Sequence, residues 1–245
     1  MEYGDRYLRA PLFAFYDSFP LIWGRKRNFD ESLLNRDFCS FVVSSSGGDP
    51  IRHKFFTELS KYKKVASGGR YLNNIGGPVD DKLAFIRKFK FNIAFENSSS
   101  PGYVTEKIME AFSAQTVPIY YGDPLVNHDF NPDSFIHLRD ESDIERVVDE
   151  IIHLDRDDDA YMKVAVAQCM ANDDKGAYER EIEAFLVKIF EQPFQSAKRR
   201  PRYGWQADQC RRKKPFIRMF HRVRQCAWFG MGIINGRLDF HVFKG

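Results

Sequence analysis

The chain has 245 residues, 43% of them hydrophobic and 29% charged, with a formal net charge of +3. That length and apolar share allow a buried core, and 23 phenylalanines argue against a disordered composition; no apolar run approaches the ~20 residues that span a bilayer as a helix. The charge is divided, since residues 196–245 hold 13 Lys/Arg against Asp208 and Asp239 while the first 195 hold 24 against 32, so an acidic body precedes a basic tail.

Met1 to Leu34 is aromatic and irregular, with Tyr3, Tyr7, Phe13, Phe15, Tyr16, Phe19, Trp23 and Phe29, and is broken by Pro11 and Pro20. Its first residues lack a continuous apolar stretch, so no signal peptide is expected and cytoplasmic residence is the default. Phe38–Ser44 is rich in β-branched and aromatic residues and is expected to be a strand. A Ser-Ser-Gly-Gly-Asp-Pro turn follows. Ile51–Ser60 then reads as a helix, with Ile51, Phe55, Phe56 and Leu59 on one side. Arg52, His53 and Lys54 crowd its first turn, where cations oppose the helix dipole unless an anion joins them. That makes Arg52 a candidate phosphate contact, against a plain reading as surface charge that suits Lys54 better.

Lys64–Pro78 carries four glycines and two asparagines and reads as a surface loop with no Walker or G-x-G-x-x-G spacing. Asp80–Phe89 is expected to be a short helix. The informative stretch is Phe91–Gly122, which reads as strand, polar loop, helix and strand. Asn92–Phe95 ends in Glu96-Asn97, and Ser98–Gly102 are turn formers. A helix opening at Tyr103 or Thr105 places Val104, Ile108, Ala111 and Phe112 on one face. Val117–Tyr121 is the second strand. In such a unit the crevice at the carboxyl end of the strand is the usual ligand site. Here it would gather Glu96, Asn97, Tyr103, Glu106 and Lys107, with the helix N–H groups and Lys107 suited to a phosphate. The plain alternative is a polar loop over an ordinary buried unit.

Further on, Phe135–Leu138 is expected to be a short strand, and Ser142–Glu145 has the spacing of a capping box. The helix behind it faces Ile144, Val147, Val148, Ile151 and Ile152 inward. Asp155–Asp159 reads as its solvated end, the D-x-D match to a metal site being a chance pattern in acidic sequence. Tyr178–Phe190 is a further helix, with Ile182, Phe185, Leu186 and Ile189 expected inward. The strand–helix alternation implies one α/β, Rossmann-like domain. The four cysteines show no metal-ligand spacing and are expected to be free thiols. Basic clusters interleaved with Tyr203, Trp205, Phe216, Phe220, Trp228 and Phe229 suit an anionic membrane surface better than nucleic acid. A solvated basic extension is the plain alternative.

Taken together, FENSSSPGYVTEKIMEAF and VPIYYGDP, flanked by DRYLRAPLF, SFVVSSSGGDPIRHKFF, SGGRYLNN and FNPDSFIHL, resemble the α-1,3/4-fucosyltransferases of glycosyltransferase family 10, bacterial members above all. The resemblance covers about residues 5–165. It implies the Rossmann-like C-terminal half of a GT-B fold over residues 36–195, a joining segment over 1–35 and the basic tail over 196–245. It also implies inverting transfer of L-fucose from GDP-fucose to the GlcNAc of a lactosamine-type glycan, giving Lewis-type products. On the family pattern Arg52 and Lys107 contact the donor diphosphate and stabilise its leaving. Asn97, Tyr103 and Glu106 are further donor contacts, and no metal cofactor is required. The family's general base, a Glu shortly before the DRYLR-like landmark, has no counterpart among these residues, so the expectation is a donor-binding half. The basic tail implies attachment to the inner face of a membrane and no nucleic-acid partner. A non-catalytic nucleotide-sugar-binding remnant, or a GT-B transferase using another donor, are the alternatives.

Overall fold

The computed structural model describes residue 8 and residues 12–15, 22, 30–172, 174 and 176–193. The readings of residues 196–245, and most of those of the aromatic start, lie outside the described residues. The chain divides into two units, Met1–Val187 and Lys188–Gly245.

Five parallel strands form the sheet of the first unit: β1 (Asp37–Phe41), β2 (Val65–Ser67), β3 (Phe89–Phe95), β4 (Val117–Tyr121) and β5 (Ile136–His137), in the order β2-β1-β3-β4-β5. Phe41 pairs with Ile93 in β3 and with Ser67 in β2, and Phe95 pairs with Tyr121. The helices are α1 (Ile51–Ser60), α2 (Lys82–Ile86), α3 (Glu106–Ser113), α4 (Ile144–Arg156), α5 (Asp158–Val166) and α6 (Ala177–Phe190), the last of which runs into the second unit. All seven residues of β3 and all five of β4 are buried. Burial on both faces explains why apolar residues dominate both strands, Lys90 and Asn92 apart, since parallel sheets are covered on each side.

Two apolar layers cover the sheet. Cys39, Phe41, Phe91, Ile93, Phe95, Val117, Ile119 and Tyr121 pack with Phe55 and Leu59 of α1, Val147 and Ile151 of α4 and Tyr161 of α5. The period of two in strand side chains sends Tyr120 to the other face, against Ile108, Met109 and Phe112 of α3, Phe130 and Phe135. Phe13 and Ile22 are buried in this second layer, with the Phe13 ring 4.9 Å from that of Phe130. These described points of the aromatic start are thus core residues of the first unit. The polar pair on this face is matched internally, Ser40 Oγ donating to Asn92 Oδ1 at 2.9 Å.

Several sequence expectations need correction. The 64–78 segment is not all loop, because β2 occupies Val65–Ser67 as an edge strand, held at Asn74 by Nδ2 donating to the Val65 carbonyl and Oδ1 accepting from Ser67 N–H. The capping box does not form. Asp140, not Ser142, caps the turn before α4, and the Ser142 hydroxyl bonds to Asp140 as well. The Asp155–Asp159 run is not simply solvated: Asp157 caps α5 through Ala160 N–H, a helix the periodicity reading did not separate. Asp155 is buried between Lys63, Lys90 and Tyr62. On α6 no described residue is buried; Leu186, Val187 and Ile189 are exposed, and Phe190 is 81% exposed.

Candidate active site

The strand order reverses between β1 and β3. That is the topological switch point of an open α/β sheet, and the crevice above the carboxyl ends of those strands is where such folds bind ligands. Both polar segments singled out in the sequence end there. The loop after β1 leads into α1, and the loop after β3 leads into α3.

Arg52 is 1% exposed, although it occupies the first turn of α1. Its Nη1 donates to Asn97 Oδ1 at 2.9 Å and its Nη2 to the Ser45 carbonyl at 2.8 Å. The guanidinium carbon lies 5.6 Å from the centre of the Tyr71 ring, a cation–π placement. Its buried Nε finds no hydrogen-bond partner among the described residues. A buried cation with a spare donor at the positive end of a helix is costly unless an anion joins it. Gly48 packs over the guanidinium, where an added Cβ would lie 2.3 Å from Cζ. Direct contact with a ligand therefore requires the 45–48 segment to move. His53 and Lys54 are exposed, and Lys54 pairs with Glu141.

Asp49, which the sequence reading passed over as a turn residue, ties the two loops together. Its N–H donates to the Asn97 carbonyl at 2.8 Å, its Oδ1 accepts from Ile51 N–H at 3.0 Å, and its Oδ2 accepts from the Tyr121 hydroxyl at 2.6 Å. Asp49 thus supplies the cap that Pro50 cannot. Burial, then the bond to Asp49, push the Tyr121 phenol up to about 12. The Asp-Pro dipeptide was the only signal for this role.

On the β3 side, Glu96 is fully buried. Its Oε1 accepts from Thr105 N–H at 2.7 Å and from the Thr105 hydroxyl at 2.8 Å, and its Oε2 accepts from Lys107 Nζ at 2.8 Å. The α3 N-terminus is therefore capped by a distant carboxylate, while the Thr105 side chain caps no helix N–H itself. Lys107 Nζ also donates to Glu106 Oε1 at 3.3 Å. Burial works against the Lys107 ammonium, but the charges and hydrogen bonds of Glu96 and Glu106 outweigh it and raise its pKa. For half-buried Glu106 burial is likewise opposed by Lys107 and the helix N–H, and its pKa is lowered. Gly122 leaves room for this cluster, since a Cβ there would lie 2.5 Å from Glu96 Cγ and 2.6 Å from the Tyr120 hydroxyl. Half-buried Tyr103 enters through its backbone, its carbonyl accepting from the Tyr120 hydroxyl at 3.3 Å.

The five candidates accordingly fall into two groups at one switch point: Arg52 with Asn97, and Glu106 with Lys107, Tyr103 lying on the loop between Asn97 and Glu106. Two surface cavities of about 250 and 520 Å³ lie elsewhere, beside β5, with Pro132, Phe135 and Glu150 lining both. Among the described residues no group of His, Cys, Asp and Glu is arranged to hold a metal ion.

Residues 34–168, more than half of the chain, match glycosyltransferase family 10 (fucosyltransferase), C-terminal region. The chain belongs to glycosyltransferase family 10. The family 10 chain is 36% identical over 170 residues to the alpha-(1,3)-fucosyltransferase FucT of Helicobacter pylori, covering 67% of this chain and 35% of that protein. It is 31% identical over 139 residues to the 3-galactosyl-N-acetylglucosaminide 4-alpha-L-fucosyltransferase FUT3 of Bos taurus, covering 54% and 38%. Among solved structures, an alpha1,3-fucosyltransferase with GDP-fucose aligns with a TM-score of 0.59 at 34% identity, over 65% of this chain and 49% of that one. Another, with GDP, aligns with a TM-score of 0.66 at 28% identity, over 78% and 67%. The expected fold class, the Rossmann-like half of a GT-B transferase, is the one found. The family 10 chain spans about a third of the length of the Helicobacter pylori and Bos taurus relatives.

Proposed function

We propose that this family 10 chain binds GDP-fucose and forms the donor side of an inverting α-1,3-fucosyltransferase acting on the GlcNAc of a lactosamine-type glycan. The observation that carries the reading is the convergence of Arg52 and Lys107 on one switch point, from the first turns of two helices. The α-1,3 linkage is favoured because the Helicobacter pylori relative and both solved structures carry that name. In the reaction the fucose C1–O bond breaks with its electron pair passing to the β-phosphate. The acceptor oxygen bonds to C1 from the opposite face, and its proton passes to a carboxylate base on the acceptor side. Charge therefore grows on the diphosphate as the bond lengthens. Arg52, Lys107 and the α3 N–H groups offer fixed positive charge for it, which is transition-state stabilisation by preorganised dipoles and cations in place of a metal. Asn97, held by Arg52, and Tyr103 and Glu106 are the remaining donor contacts, Glu106 at a sugar hydroxyl. The basic 196–245 segment is the candidate for contact with an anionic membrane on the cytoplasmic side.

Calorimetric titration of the full chain with GDP tests this. Binding is expected, and Lys107→Met should weaken it by about tenfold, the worth of one charge-assisted hydrogen bond. A folded chain that binds no GDP would refute the donor site. Exchange of GDP for UDP should abolish binding if the donor is a guanosine diphosphate sugar.

A further inference from the structure

Every proton of the Lys107 ammonium already has a partner. Its three donors meet Glu96 Oε2 at 2.8 Å, Thr105 Oγ1 at 2.8 Å and Glu106 Oε1 at 3.3 Å. Two carboxylates thus face one cation. They differ in freedom. Glu96 is 0% exposed, with its stem against Gly122 and its Oε1 committed to Thr105 N–H and hydroxyl. The Glu106 side chain is a third exposed and makes the longest of the three contacts. A diphosphate reaching the start of α3 meets a lysine whose charge is already offset, and it gains that lysine only by displacing a carboxylate. Glu106 is the one able to leave, whereas Glu96 stays.

We propose that Glu96 offsets the charge of Lys107 at the α3 N-terminus and so keeps the site from holding spent GDP too tightly. The inference rests on the donor-site reading above. GDP carries one more negative charge than its fucosyl ester, because the bond that breaks leaves an oxygen anion behind. A site built of uncompensated cations would grip the product harder than the donor and make release slow. A permanent buried carboxylate behind Lys107 lowers affinity for both, and most for the more charged product. Thr105 makes the arrangement rigid: its N–H and hydroxyl hold the carboxylate while its oxygen accepts from the lysine.

The test is Glu96→Gln in the full chain, titrated with GDP and with guanosine. The amide keeps the shape and one acceptor for Thr105 N–H, which turns its NH₂ towards Lys107 and frees the ammonium. GDP should bind about tenfold tighter than to the native chain, with guanosine unchanged. A purely structural role for Glu96 predicts the opposite sign, so GDP affinity equal to or weaker than native in folded protein overturns the proposal. Should Glu96→Gln fail to fold, the native chain decides: GDP bound no more than about tenfold tighter than GDP-fucose agrees with an offset lysine, and a larger preference for GDP refutes it. A native chain that binds no GDP removes the donor-site reading and this inference together. Native binding with the wrong sign in Glu96→Gln removes the inference alone.

Discussion

Asparagine in place of Asp155 should destabilise the fold by about 3 kcal/mol without touching GDP binding. Asp155 is the hub of a buried charge cluster at the amino-terminal end of β3. Its carboxylate is 4% exposed and faces Lys90 at 3.8 Å through Oδ1, while Oδ2 accepts from the Tyr62 hydroxyl at 3.0 Å and from Lys63. The Lys90 side chain is 9% exposed and lies 5.2 Å from the centre of the Tyr161 ring. Its other carboxylate, Asp158, is 3.7 Å away but largely in solvent. At an effective dielectric of about 20, a unit pair at the Lys90–Asp155 distance attracts by about 4 kcal/mol. The asparagine amide recovers part of this as a dipole and keeps a bond to Tyr62. The exposed Lys63 contributes little, as surface ion pairs do. About 3 kcal/mol of loss remains, chiefly the cost of a buried ammonium left with one solvent-screened partner. Urea unfolding followed by far-UV circular dichroism measures it. The double variant Lys90→Met/Asp155→Asn removes the stranded charge and should recover at least half of the loss. A single-variant loss under 1 kcal/mol, or a double variant no more stable than the single, would refute the argument.

Three further outcomes are expected. Gly122→Ala pushes a methyl into Glu96 and Tyr120, both fully buried, so it should cost about 1–3 kcal/mol in urea unfolding and weaken GDP binding in the same protein. Native GDP affinity in a stable variant would show that Glu96 can shift freely. Tyr121→Phe deletes the 2.6 Å bond to Asp49 and should cost about 1–2 kcal/mol, with backbone hydrogen exchange rising first in the 45–50 loop. Uniform protection would separate Asp49 from loop order. Burial, with Arg139 adding to it, lowers the His137 pKa in the fold, while Asp143 and Asp123 oppose the shift and Arg146 supports it. The unfolded chain then binds the proton more readily, so this residue's share of stability is present at pH 7.5 and is lost as pH falls from about 6.5 through the lower folded pKa. His137→Gln should flatten that decline between pH 7.5 and 5.5, and an unchanged slope would rule it out.

The elements that could be read from sequence are those with a full apolar pattern. Ile51–Ser60 is found at those same bounds, and Val104, Ile108, Ala111 and Phe112 are all buried as the spacing requires. What escaped were features decided by tertiary contacts. β2 has three residues, too few to show alternation, and forms because β1 offers it an edge. The aspartates at 155 and 157 share one acidic run but have opposite fates. One is turned inward to Lys90 and the other caps a helix, a choice that charge content cannot reveal. Among site residues, Arg52 was legible because a cation in a helix's first turn conflicts with the dipole. Asp49 was passed over and Glu96, though placed in the crevice, was given no partner, since their partners lie 72 and 9–11 residues away in sequence. The inward face expected for α6 fails for a related reason: an apolar stripe states what a helix could bury, not what lies beside it.

The two ends of β3 differ in how fully their buried charges are paired. Each holds a buried cation, Lys90 at one and Arg52 at the other, and one buried carboxylate, Asp155 or Glu96. At the amino end the cluster is closed: Lys90 faces two carboxylates and an aromatic ring, and Asp155 accepts from Tyr62 and Lys63 and faces Lys90. At the carboxyl end it is open. Arg52 keeps a buried Nε without a hydrogen-bond partner among the described residues, and Lys107 holds Glu106 by a long, partly exposed contact. An unfilled donor of this kind persists only when something outside the chain completes it or when the surrounding fold forces it. The loop over Arg52 is exposed at Ser44–Gly47, while Gly48 packs on the guanidinium. The physical asymmetry therefore leaves a spare donor at the carboxyl end, where the starts of α1 and α3 present helix N–H groups that suit an anion.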